Sequence, residues 1–166
     1  MRRDTPLHYA ITRQRQDLVR LLLARGADLA AANCRGFNAL HLASLRGDVA
    51  ALRALLVEAR ARDTEWLVDE AKDDGYTALH LAALNGQLDA ADTLINEGHA
   101  TVNARNARRQ TPLHLAVETL NKPLVLLLLD VPATQVASLT FVYNFSGTQQ
   151  KLKYRLFKYS YVSTNI

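Results

Sequence analysis

The stretch Asp74–Gly86 reads "DGYTALHLAALNG", an apolar, helix-like run with a histidine, His80, in its middle. A lone imidazole among leucines and alanines is either a buried polar group with a structural partner or a group reserved for chemistry. Recurrence decides between the two. The same frame returns as "TPLHYA" at Thr5–Ala10, "NALHLA" at Asn38–Ala43 and "TPLHLA" at Thr111–Ala116. Four of the five histidines, His8, His41, His80 and His114, stand in this one setting. Catalysis would not need four copies, so these rings are read as hydrogen-bonding struts that tie one repeat's turn to the next.

Each frame can be rebuilt from local chemistry. Thr5, Thr77 and Thr111 can cap a helix N-terminus through the hydroxyl, and Asn38 through its side-chain carbonyl. Pro6 and Pro112 follow at the first helical position, where a missing N–H costs nothing, and Ala39 and Ala78 substitute for them. Leu, then Leu or Tyr, then Ala form the inward stripe of a short first helix. Gly47 and Gly86 close that helix by accepting a left-handed conformation. A β-branched residue such as valine at Gly86 would strain that turn. A second helix follows in "DLVRLLLARG", "VAALRALLVEA", "LDAADTLINEG" and "KPLVLLLLD", ended by Gly26 and Gly98 in two of the four cases. The polar stretches "ADLAAANCRG" and "HATVNARNARRQ" are expected to project as hairpins.

The capping positions are spaced by 33, 39 and 34 residues. A period of 33 with T-P-L-H-x-A is the ankyrin signature, and the chain resembles the ankyrin-repeat family over about residues 2–131. The implied fold is all-α: a solenoid of four helix-pair repeats at about 1–34, 35–73, 74–107 and 108–131, the last one truncated. Residues 132–166 form a tail, irregular or hairpin-like. A single unit of this kind cannot bury its own apolar face, so stability comes from stacking on neighbours. "LVRLLLARG" and "LVLLLLD" look interior-like at both ends, as in a slice of a longer array.

The pattern breaks in three places. Six extra residues fall in "RARDTEWLVDEAKDD" (Arg60–Asp74), which holds the only tryptophan. Trp66 is expected to fold back over the lengthened second helix and shield it; the competing reading is a partner-facing contact. Gln14 and Leu120 stand where the helix-closing glycine belongs, so those turns need another solution. Beyond Leu139 the chain holds seven of its eleven aromatics, with two β-rich runs around "SGTQQ" that fit a weak hairpin.

Composition narrows the function classes. One cysteine, Cys34, excludes an internal disulfide framework and a cysteine-based zinc site, and points to a reducing, cytoplasmic setting. The net charge of +4 belongs wholly to Lys151, Lys153, Arg155 and Lys158, because residues 1–130 hold 16 basic and 16 acidic groups. That balance argues against a nucleic-acid binder, and no apolar run reaches membrane-spanning length. No nucleophile elbow, phosphate loop or paired carboxylates are present, so no catalytic residue, cofactor, metal or small-molecule substrate is expected.

Within the family, "GFNALHLASLRG" (Gly36–Gly47), "WLVDEAKDDGYTALHLAALNG" (Trp66–Gly86) and "QTPLHLAVE" (Gln110–Glu118) resemble the ankyrin region of the mind bomb RING-type E3 ubiquitin ligases. That resemblance spans roughly Asp4–Leu129 and includes the long second-to-third spacing. It implies a link to ubiquitination of Notch ligands such as Delta and to their endocytosis. The ligand-recognition modules and RING fingers of that family lie outside such an array, and one cysteine cannot build a RING. The chain is therefore expected to be a protein-interaction scaffold and not an enzyme by itself; the alternatives are an ankyrin adaptor with no ubiquitin link, or a nucleic-acid or membrane contact through the basic tail. Family practice places partner contacts at hairpin tips and on exposed first helices. By position these are Arg35, Phe37, Leu45, Arg46, Trp66, Asp74, Tyr76, Leu84, Asn85, Arg108 and Gln110. Phe37 and Tyr76 with Leu45 and Leu84 are expected to form a repeated outward apolar pair.

Overall fold

The computed structural model describes residues 4–132, and among them every regular element is a helix. Eight α-helices run in chain order: α1 Pro6–Thr12, α2 Gln16–Ala24, α3 Ala39–Arg46, α4 Val49–Ala61, α5 Ala78–Leu84, α6 Leu88–Asn96, α7 Pro112–Glu118 and α8 Lys122–Asp130. The expected hairpin and the basic aromatic segment of the tail lie outside the described residues. None of the described helices is long and apolar enough to cross a membrane.

Two layers follow from the packing. Each odd-numbered helix pairs with the even-numbered helix after it; α1, α3, α5 and α7 stack side by side, as do α2, α4, α6 and α8. Leu55, Leu94 and Leu128, one each in α4, α6 and α8, are wholly buried. Each is worth about 1.5–3 kcal/mol in removed apolar surface. Polar bonds cross the same seams. Gln16 donates from Nε2 to both oxygens of Asp48, and Arg62 donates to the carbonyls of Leu23 and Ala27 at the end of α2.

The helix ends explain why helices this short hold. Gly47 (φ 67°) and Gly86 (φ 68°) take the left-handed conformation after α3 and α5. At the two sites without glycine, Gln14 (φ 53°) and Leu120 (φ 56°) adopt the same conformation themselves. The turn geometry is kept and the strain accepted. Gly98 follows the end of α6 as expected, but the left-handed residue there is its neighbour His99 (φ 55°). Gly98 is small for another reason, since a β-carbon there would lie 2.8 Å from the Leu94 carbonyl and 3.1 Å from Leu56 Cδ2.

Two expectations are corrected. Trp66 does not shield α4; it is 58% exposed. The lengthened stretch adds a further turn to α4 and is followed by a one-turn 3-10 helix, Glu65–Val68, whose Leu67 and Val68 are the buried pair. A single turn with three residues per revolution cannot turn all its side chains inward, and the tryptophan is left out. Tyr9 is likewise not inward but 59% exposed, whereas its counterparts Leu42, Leu81 and Leu115 are buried. Helices α3, α5 and α7 each pack on the first helix before them, whereas α1 packs among the described first helices on α3, and Tyr9, Leu18 and Leu21 stay exposed. In the fourth pair α8 spans the whole of the expected "KPLVLLLLD", Lys122–Asp130, with Pro123 in its first turn, where the missing N–H is harmless.

Candidate partner-binding face

Every first helix begins from one bonding pattern. The backbone N–H of Thr5, Asn38, Thr77 and Thr111 donates to Nδ1 of His8, His41, His80 and His114 at 2.9, 3.2, 3.2 and 3.1 Å. In return Thr5, Asn38 and Thr77 side chains accept the N–H of His8, His41 and His80. Because Nδ1 accepts a backbone proton, the ring's own proton sits on Nε2. His41 spends it on the Glu70 carbonyl at 2.9 Å and His80 on the Gln110 carbonyl at 3.0 Å. Each acceptor belongs to the chain entering the next helix pair. His8 Nε2 is buried without a hydrogen bond; the Phe37 and Ala31 carbonyls lie close enough to favour a charged ring but outside bonding geometry. Burial dominates all three, pushing His41 down to about 4 and lowering His80 and His8 against the opposing pull of those carbonyls.

Just ahead of each later cap the chain makes a tight finger. Asn33 and Asn106 organise two of them, each side-chain oxygen accepting two backbone N–H groups, from Arg35 and Phe37 and from Arg108 and Gln110. In the finger between them Lys72 takes the asparagine's place. Its side chain is 11% exposed, its ammonium bonds Asp74, and it lies 5.0 Å from the Phe37 ring centroid and 5.8 Å from that of Tyr76. A cation held between two rings gains from their quadrupoles. Burial alone would raise the Asp74 carboxyl, but Lys72 and the Tyr76 N–H outweigh it and hold Asp74 below the usual range. Neighbouring fingers also touch: Ala107 N–H donates to the Asp74 carbonyl at 3.0 Å. Sequence reasoning passed over Lys72, Asn33 and Asn106. The available signal was the register of "NCRGF", "KDDGY" and "NARRQ", which sets them at one position.

The residues proposed for partner contact, Trp66 apart, fall into three groups. Arg35, Arg46, Leu84, Asn85 and Arg108 are exposed on finger tips and at first-helix ends, and Leu45 is half-buried beside them. Phe37 and Tyr76 do not stand free as an outward pair; both are half-buried, packed on His41 and His80 at 6.3 and 5.7 Å between ring centroids. Asp74 and Gln110 are engaged internally, Gln110 with Asn106 and, at 3.2 Å, with Glu118 in the last turn of α7. That last bond makes finger and first-helix surface one continuous face. Trp66 is exposed on the 3-10 turn that follows α4. Among the described residues no three histidine, cysteine, aspartate or glutamate side chains gather in a metal-holding cluster.

Comparison with known proteins agrees with this architecture. The family described as "Ankyrin repeats (3 copies)" matches residues 2–65 and 62–137. The nuclear factor NF-kappa-B p105 subunit of Gallus gallus is 34% identical over 145 residues. That alignment covers 85% of this chain and 14% of the relative, so the chain matches a small part of the longer protein's length. Recurrent capping frame, paired helix layers and family match lead to one conclusion: the chain belongs to the ankyrin-repeat family.

Proposed function

We propose that the chain is a protein-interaction scaffold in which residues 1–131 act as one binding body in the cytoplasm, holding a protein partner along the finger tips and first helices. What carries the reading is a division of labour. The four capping histidines, the cap residues and the inner leucines are consumed by stacking. Arg35, Arg46, Leu84 and Arg108 lie exposed on finger tips and at first-helix ends and, among the described residues, the three arginine side chains bond no carboxylate or carbonyl. Catalysis has no support from the histidines, since His41 and His80 have both ring nitrogens committed.

A finer reading rests on the resemblance of "VDEAKDDGYTALHLAALNG" to the mind bomb ligases. In it the array would hold a protein within a system that ubiquitinates Notch ligands, with transfer performed by RING fingers that this chain's single cysteine cannot supply. An ankyrin adaptor without a ubiquitin link is the simpler form of the same proposal.

The test is a random-peptide display selection on the whole chain, with counter-selection on a Leu84→Ser, Asn85→Ser variant of unchanged melting behaviour. Enrichment of peptides that bind the parent about tenfold more tightly than the variant is expected, since a few side chains carry most of the energy of such contacts. Equal binding to both would remove the reading.

A further inference from the structure

The ionic groups on the binding face are used unequally. Five arginines stand on it: Arg13 and Arg46 at the ends of α1 and α3, Arg35 on the first finger, Arg108 and Arg109 on the third. All are exposed, and among the described residues none has a carboxylate partner; Arg35 alone rests on a ring, 5.6 Å from the Phe37 centroid. The acidic groups beside them are in the opposite condition. Asp4 accepts from Asn33 Nδ2 at 2.7 Å, Glu70 from Asn38 Nδ2 at 2.8 Å, Asp74 from Lys72 and Glu118 from Gln110. Asp73 is the single acid there without such a bond. The carboxylates keep their charge but are tethered to the fold, Asp74 by Lys72 and the others by neutral amides, whereas the arginine side chains are left free to reach a partner.

From this we propose that the segment recognised by the face is an acidic stretch of protein, its carboxylates meeting Arg35 and Arg46 at one end and Arg108 and Arg109 at the other. This rests on the scaffold reading above and adds the chemistry of the partner. A peptide suits the arrangement better than a nucleic acid does. Asp73 and Asp74 interrupt the arginines on the middle finger, where an evenly charged phosphate backbone would be repelled. A peptide can set a neutral or basic residue opposite that point, and the like-charge clash then adds register and selectivity. Exposed pairs of this kind act mainly on encounter rate and on the choice between partners.

The same display selection on the full chain separates the outcomes. The peptides that depend on the face are expected to be acidic. They should bind about tenfold more weakly to an Arg35→Glu, Arg46→Glu variant at low salt, with the difference vanishing at about 1 M salt, where the Debye length falls to about 3 Å. An Arg20→Glu, Arg25→Glu variant changes the net charge equally at exposed positions in α2 and at its C-terminal cap and is expected to bind like the parent. Face-dependent peptides that are neutral or basic would overturn the inference while leaving the scaffold standing. A single-stranded RNA oligonucleotide held through the same arginines would overturn it in favour of nucleic acid. No face-dependent peptide at all would remove the scaffold reading and the inference together.

Discussion

His41 Nε2 lies 2.9 Å from the carbonyl oxygen of Glu70, so a ring fixed at one repeat's cap also holds the chain that enters the next. The Glu70 bond would survive protonation, but the Asn38 N–H bond to Nδ1 requires a neutral ring, and burial enforces that neutrality.

Acid should therefore loosen the stack. Desolvation depresses His41 from 6.5 to about 4 in the folded state. The unfolded chain then binds the proton first, so stability is full above about pH 6.5, falls as pH drops toward 4, and loses no more from this ring below that. The depression corresponds to about 3 kcal/mol at most. His80 and His8 shift in the same direction and add to the slope. Urea midpoints measured across this range should fall steeply in the parent and less steeply in a His41→Gln variant. Parallel curves would mean the ring titrates normally.

The strained turns offer a gain. Leu120 is exposed and sits at φ 56°, where an L-residue costs roughly 1–2 kcal/mol. Leu120→Gly removes that cost and gives back about 0.4–1 kcal/mol through the freer unfolded chain. A net stabilisation of about 0.5–1 kcal/mol is expected, with Gln14→Gly behaving alike. Denaturant titration of the two variants settles it, and destabilisation by both would show that the side chains contribute packing there.

Two glycines separate strain from space. Gly26 (φ 78°) has nothing within 4 Å of where a β-carbon would stand, whereas at Gly75 (φ 80°) the same atom would meet Ala107 N at 2.7 Å and Asn106 Cα at 2.9 Å. Gly26→Ala should cost roughly 1–2 kcal/mol from backbone strain alone. Gly75→Ala should cost roughly 2–4 kcal/mol, because two fingers must part and the Ala107–Asp74 bond goes with them. Equal losses in calorimetry would argue that the fingers are not in contact.

These cases mark what the sequence discloses and what it withholds. The Leu-His frame carries its own cap, first-turn proline and inward leucines, so the helices and their order are legible from local chemistry. Gly47 and Gly86 announce left-handed turns, because glycine is the residue that takes them cheaply. Gln14 and Leu120 announce nothing, since their conformation is imposed by the stacked neighbours. Trp66 and Tyr9 fail for a related reason. Apolar character says that burial is favourable, but whether a surface is covered depends on which element lies beside it. Lys72 looks like a solvated charge until Phe37 and Tyr76, from successive helix pairs, close around it. The proposed contact positions follow from register alone, whereas the uneven use of charge around them does not, because pairing is a property of three-dimensional neighbours.

The uncovered end supplies the last expectation. Leu18 and Leu21 are 41% and 48% exposed, while Ala51, the counterpart of Leu18 in the next pair, is wholly buried against the first. Leu18→Gln and Leu21→Gln should each shift stability by no more than about 0.5 kcal/mol, as exposed substitutions generally do. Leu55→Ala, at a fully buried site, should cost about 2–5 kcal/mol through lost transfer energy and the cavity left behind. The contrast tests whether stacking, and not apolar content, stabilises the array. If the two glutamines proved as costly as the cavity, some further element would have to cover α2 in solution, and the exposed end of the stack would be closed.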